Sequence, residues 1–257
     1  MTRAATRVAA LCLMLLAGSA AAAPRIAIII DDLGYNRAAG EAVLALPAPL
    51  TCAVIPETPH GRRLAREAAA AGKEVMIHLP MATLDARRLD AGALHDGMSE
   101  AQISAVLDRA QRALPDARGL NNHMGSALTA EAEPMRRLME QLRHRHLYFI
   151  DSRTNAATVA ERSARQAGLA AGRRDVFLDN QRDLPHINAQ FNRLLRLARR
   201  HGQAIAIGHP YPETLDYLRQ VLPLLEQAGV RLVPVSQLLT APVATAGAAT
   251  RPGRENG

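Results

Sequence analysis

Residues 25–34 read Arg-Ile-Ala-Ile-Ile-Ile-Asp-Asp-Leu-Gly. A run of β-favouring apolar residues stops at two adjacent carboxylates, Asp31 and Asp32, and a glycine follows. Continuous apolar character without alternation is the mark of a strand covered on both faces, as in a parallel sheet. Such a strand delivers Asp31 and Asp32 to its C-terminal end, the edge where ligands and chemistry sit in α/β folds. Two neighbouring carboxylates repel unless a cation holds them, so histidines arriving at the same edge become the residues to find.

The pattern repeats along the chain. Strands are expected at Leu50–Ile55, Glu74–Leu79, from Arg118, at Leu147–Ile150, Asp175–Leu178, Ala204–Ile207 and Val230–Val235. Helical segments separate them. Gly61–Ala71 stops at Gly72; Ser99-Glu100-Ala101-Gln102 has capping-box spacing; Ile187, Phe191, Leu194, Leu195 and Ala198 form one stripe that Gly202 ends. Pro223 should interrupt the helix expected over Thr214–Ala228. The connection Ala82–Gly97, rich in Asp, Arg and Gly, is long enough to lie over the active edge. Seven or eight strands alternating with helices argue for a (β/α) barrel. A doubly wound open sheet is the alternative, but no glycine-rich phosphate loop follows any strand.

The formal charge of +7 comes from arginines spread over the whole chain, and there are four Tyr, three Phe and no Trp. Without a stacking platform or a concentrated basic face, nucleic-acid binding has no support. Residues 1–23 have a leader's plan: Arg3 and Arg7, the apolar Val8–Ala17, then Ala21-Ala22-Ala23 before Pro24. This is the pattern of a secretory signal peptide and is too short for a membrane span. The expected mature protein is periplasmic or secreted and has no transmembrane segment. Its single folded domain covers 24–240, and residues 241–257 form a disordered tail. Cleavage leaves Cys52 alone, in an apolar run, as an inert core thiol.

Polar residues gather at the strand ends. After Asp31-Asp32 come His78, then Asn121-Asn122-His123, Asp151, Asp179 and His209. Of nine histidines, these three directly end apolar runs, and the rest read as solvated surface. Three His and several Asp converging on one edge fit a catalytic zinc site, which takes three His or carboxylate ligands and keeps a position open. Asp151 and Asp179 could instead be helix caps or turn residues.

Six strings resemble the divergent polysaccharide deacetylase family, a branch of the NodB-like carbohydrate esterases. They are Ile-Ile-Asp-Asp-Leu-Gly (29–34), His-Leu-Pro-Met (78–81), Asn-Asn-His-Met-Gly-Ser (121–126), Asp-Ser-Arg-Thr (151–154), Val-Phe-Leu-Asp-Asn (176–180) and Ile-Gly-His-Pro (207–210). The resemblance runs from about Arg25 to Gln237 and implies an α/β fold, a distorted NodB-like barrel. It also implies that Asp31 is the catalytic base, Asp32 and His78 are ligands of zinc or another divalent metal, and His209 is the acid. The family's second histidine normally follows the first by four residues. Ala82 occupies that position, so His123 from the neighbouring strand is taken as the third ligand. Asn121, Asn122, Asp151, Arg153 and Asp179 are the expected supporting or substrate-binding residues, Arg153 as the arginine that holds the base.

The activity so implied is metal-dependent removal of N-acetyl groups from an envelope polysaccharide or peptidoglycan fragment. Asp31 is expected to be kept ionised by the metal's charge, and Asp151 or Asp179 to orient a histidine. A rival reading is a glycan-binding or envelope-assembly protein that keeps the metal without turnover. It draws support from the missing His four residues after His78 and from the arginine that holds the base, for which Arg153 is only a candidate. Phosphoryl hydrolysis is a third, with no cationic cluster at the strand ends to support it.

Overall fold

In a computed structural model that describes residues 23–85 and 87–239, Arg25–Leu33 forms a strand, β1, at the heart of a parallel sheet. The other strands are β2 (Thr51–Val54), β3 (Glu74–Met81), β4 (Ala117–Met124), β5 (Tyr148–Asp151), β6 (Ala171–Arg173), β7 (Val176–Phe177), β8 (Gln203–Gly208) and β9 (Arg231–Leu232). They alternate with helices α1 (Arg37–Leu44), α2 (Gly61–Ala70), α3 (Glu100–Ala113), α4 (Ala132–His144), α5 (Ala160–Gln166), α6 (Leu184–His201) and α7 (Pro212–Val221). The lateral order is β6-β5-β4-β3-β2-β1-β8-β7, with β9 also pairing with β1. This is a curled, open parallel sheet flanked by helices: a distorted barrel with eight strands in its path and a short ninth. The expected leader and tail fall, apart from Ala23, outside the described residues. Among the described residues no helix is long and apolar enough to cross a membrane.

Local chemistry fixes the ends of several helices. Ser99 accepts from the Gln102 amide and the Gln102 side chain accepts from the Ser99 amide, completing the capping box of α3. Asp183 caps α6 ahead of Pro185, and Gly202 stops it in a left-handed conformation at φ 82°. Pro223 ends α7 early, in a short 3₁₀ turn over Leu222–Leu224.

Side chains of β1 divide between two cores. Ile26, Ile28 and Ile30 pack under the helices in the larger core. Ala27 and Ile29 face the barrel interior with Ala53, Met76, Ile150, Ile205 and Ile207. Both faces are dry, which is why the run is unbroken rather than alternating. The C-terminal segment supplies Val233, Val235 and Leu238 to the inner core, so what reads as one strand over Val230–Val235 is a two-residue strand and a 3₁₀ turn plugging the barrel. Cys52 is fully buried in the outer core, and burial pushes its thiol up to about 12.

The expected strand Asp175–Leu178 is also shorter, and β6 and β7 lie at opposite edges of the sheet. The link between them closes the seam without a ladder. The Arg174 amide donates to the Asp151 carbonyl and the Asp175 amide to the Ile205 carbonyl, each at 2.9 Å.

Candidate metal centre and active site

Neighbours on a regular strand point to opposite faces, yet Asp31 and Asp32 meet at one site. A bulge makes this possible. Ile30 pairs with Cys52 and Leu33 with Val54, so three steps along β1 match two along β2. Asp32 takes the left-handed backbone region at φ 58°, as do Met124 (54°) and Arg153 (53°) at the ends of β4 and β5. Such conformations cost non-glycine residues about 1–3 kcal/mol each and collect at functional sites.

Asp32 Oδ1 lies 3.1 Å from His78 Nε2 and 2.9 Å from His123 Nδ1, and the two nitrogens are 3.0 Å apart. The three atoms form a near-equilateral triangle, and these three residues are a group able to hold one metal ion. The centre of such a triangle is about 1.7 Å from each corner, so a point just off its plane reaches the ~2.0–2.1 Å typical of zinc bound to N and O. Two imidazoles and one carboxylate therefore fit a divalent ion in number, spacing and chemistry.

Each site histidine is oriented from behind. His78 follows Met76 on the inner face of β3, and its Nδ1–H donates to Asn121 Oδ1 at 2.7 Å. The Asn121 amide nitrogen in turn donates to Asp31 Oδ1 at 2.8 Å, so one buried amide fixes the imidazole and the neighbouring carboxylate together. This turns Nε2 of His78 to the triangle, where loss of its proton frees a ligating lone pair. His123 Nε2 lies 3.2 Å from Asp90 Oδ2, and the Tyr35 hydroxyl donates to Asp90 Oδ1. Asp90 and Tyr35 are not among the residues read from the strand ends. The signal for Asp90 was the length of the Ala82–Gly97 connection. That loop folds back through Ala82–Leu94 and Leu94–Pro80 backbone bonds and sets Asp90 behind the metal group. We predict that Asp90→Asn weakens metal affinity by about 10–100-fold, the usual effect of losing a carboxylate behind a ligating histidine. Competition with a chromophoric chelator measures it, and an unchanged affinity contradicts the assignment.

On the other side of Asp32, His209 Nε2 stands 3.8 Å from Oδ2. Asp179 holds this histidine through an Nδ1–H bond at 2.8 Å. It also accepts the His209 amide and the Thr214 hydroxyl, so its oxygens are fully engaged. The orienting carboxylate is thus Asp179. Asp151 reaches no histidine among the described residues. Its oxygens take the Arg153 amide, the Thr158 hydroxyl and the Glu161 amide, tying the β5–α5 loop together. Arg153 makes no hydrogen bond or ion pair with Asp31 among the described residues; the group bonded to that carboxylate is Asn121. Asn122 braces the ends of β4 and β5, donating to the Met124 carbonyl and accepting the Ser152 amide.

Asp31, Asp32, His78, His123 and His209 share a cavity of about 460 Å³ that Phe177 and Arg174 also line. Burial lifts the Asp31 carboxyl above its ordinary range, while His78 and His209 pull it down. Asp32 is also penalised by burial, but bonds from His123 and His78 outweigh this and hold it well below the carboxylate range. For His78 burial opposes the charge, yet Asp31 and then Asp32 raise it to about 9. For His209 burial again opposes the charge, and the bond to Asp179 carries it above the usual imidazole value.

The His78 shift has a measurable sign. A histidine ordinarily near 6.5 that binds its proton more tightly when folded stabilises the fold below about pH 6.5 and loses that contribution towards about pH 9. Chelator-treated protein is therefore expected to melt at a lower temperature at pH 9 than at pH 6.5. A flat or rising profile contradicts a charged His78 in the metal-free protein.

The comparisons with known proteins agree with this fold. A protein from Escherichia coli K12, the uncharacterized YibQ, is 42% identical over 220 residues, covering 86% of this chain and 69% of its own. The crystal structure of the uncharacterized protein ATU2773 from Agrobacterium tumefaciens C58 superposes with a TM-score of 0.78 at 23% identity, covering 86% of this chain and 91% of that one. A family 4 carbohydrate esterase from Streptomyces lividans, solved with acetate, shares the fold at a TM-score of 0.52 and 14% identity, over 86% of this chain and 98% of that one. The family described as divergent polysaccharide deacetylase matches residues 28–239, nearly the whole described chain, and the protein belongs to that family.

Proposed function

We propose that this protein is an exported, metal-dependent hydrolase that removes N-acetyl groups from an envelope glycan. The observation that carries the reading is the Asp32/His78/His123 triangle flanked, in one cavity, by Asp31 and His209. A divalent ion bound there supplies Lewis-acid polarisation of an acyl oxygen and a lowered pKa for water; zinc suits the donor set. Asp31, whose Oδ2 is 3.7 Å from His78 Nε2, is the base that accepts the proton of the attacking water. Asn121 keeps its other oxygen in place. His209, aimed through Asp179 and with its proton held more tightly than in a free imidazole, donates from Nε2 to the departing nitrogen. Phe177 gives the cavity an apolar wall beside His209, with ring centroids 5.3 Å apart.

His123 weighs against the reading without turnover, because it joins Asp32 and His78 in a group able to hold one ion although Ala82 stands four residues after His78. The test is acetate release from N-acetylated glycan fragments by metal-loaded and chelated protein. Acetate from the loaded form alone supports the reading; stoichiometric metal with no acetate leaves the glycan-binding alternative. Export rests on the Arg3/Arg7, apolar, triple-alanine pattern of residues 1–23. An intact Met1 on protein recovered from the native envelope would contradict it.

A further inference from the structure

Beside the metal cavity lies a second one, of about 670 Å³, at the seam between β6 and β7. Arg153 and Arg174 line both, so the two cavities share a wall. The second cavity adds Arg173, Arg193 and His201, with Asp175 as its carboxylate. Asp175 is engaged by the Ile205 amide at 2.9 Å, and Arg173 pairs with Glu161 at 3.5 Å. Arg153, Arg174 and Arg193 form no ion pair among the described residues.

Arg174 is the best fixed of the three. It is half-buried, and its Nε–H and Nη2–H donate to the Ser152 and Arg153 carbonyls at 2.8 and 2.9 Å. Its guanidinium lies over the Phe177 ring, 4.9 Å from the centroid. Two of the five N–H donors of a guanidinium are so used, leaving three. Burial lowers its proton affinity and Arg153 lowers it further, with Asp31 and Asp151 offsetting this in part. Cations gathered without partners on a cavity wall disfavour the free state, and a bound anion relieves that repulsion. A planar fork held in place also suits two-oxygen recognition of carboxylate or phosphate.

We infer that this arginine cavity is a subsite for an anionic group on the glycan, so that the substrate is an N-acetylated saccharide bearing a carboxylate or a phosphate. The inference rests on the proposed hydrolase reading for the acetyl group's place at the metal, but the subsite's own evidence is independent of turnover. It also gives Arg153 a role towards substrate in place of the expected one towards Asp31.

The test is calorimetric binding to the metal-loaded protein of three disaccharides. They are neutral diacetylchitobiose, its phosphorylated form, and an N-acetylglucosamine–N-acetylmuramic acid unit with one free carboxylate. At least one anionic ligand is expected to bind about 10-fold or more tighter than the neutral one, and which of the two does so identifies the anion. Arg193→Gln, on the exposed face of α6, should cut that preference several-fold, and Arg153→Gln/Arg193→Gln should cut it further, to what Arg174 alone sustains, with metal content unchanged as the sign of an intact site. Equal affinity for neutral and anionic ligands overturns the subsite, as does a preference that the double substitution leaves undiminished. Acetate is assayed separately in the same samples. Binding that depends on Arg153 and Arg193, by metal-loaded protein that releases no acetate, leaves the subsite standing and removes the hydrolase reading. Acetate released without any anionic preference does the reverse.

Discussion

Asp31→Asn is expected to lower acetate release by about 10²–10⁴-fold, the usual contribution of a general base, while the protein still binds its metal. The separation follows from position. Asp31 lies outside the ligand triangle, 3.7 Å from His78 Nε2, whereas Asp32 Oδ1 is a corner of it. Asparagine preserves the shape, and the Asn121 amide can still donate to the remaining side-chain oxygen. Nothing in the support of His78 then changes, because its Nδ1 bond runs to Asn121. Metal content by elemental analysis and acetate release, measured on the same preparation, check both halves. If Asp31→Asn loses its metal as completely as a ligand substitution does, the division of roles within the Asp pair is wrong.

His78→Ala should empty the site. It removes a corner of the triangle and leaves Asn121 Oδ1 without its donor and Asp31 and Asp32 without the charge between them. The loss of affinity should exceed the ~10–100-fold that outer partners such as Asp90 account for, and activity should fall with occupancy. His123→Ala is the companion variant, since its Nδ1 holds the equivalent corner. Circular dichroism on both separates an empty site from an unfolded chain. A His123→Ala protein that keeps full metal would mean that the β4 histidine does not replace the one absent at Ala82.

Much of this arrangement can be read in the chain, for a physical reason. A parallel strand buried on both faces leaves an unbroken apolar run, so its end is marked wherever a polar residue interrupts it. Asp31, His78, Asp179 and His209 are found this way, and the capping box at Ser99 and the stop at Gly202 are legible because each rests on a few adjacent residues. The bulge that turns Asp31 and Asp32 to one site is not legible, since it depends on the register of β1 against β2. Asp90 is hidden for a related reason. Its loop is recognisable by length, but which of its carboxylates meets His123 is set by the fold-back at Leu94. Asp151 and Asp179 look alike in sequence, each ending a strand; only the surroundings separate a loop brace from the carboxylate behind His209. The seam is the hardest part. Strands of two or three residues leave almost no periodic signal, so Arg174 reads as one more scattered arginine until β6 and β7 are seen at opposite edges.

The most direct measurement is a titration of a divalent ion, zinc first, into chelated protein with acetate release followed at each step on an N-acetylated glycan fragment. The account predicts a rate that rises in proportion to occupancy and levels off at one equivalent per chain, with no release before the first addition. Release that precedes metal uptake, or full occupancy with no release from any envelope glycan, would contradict it.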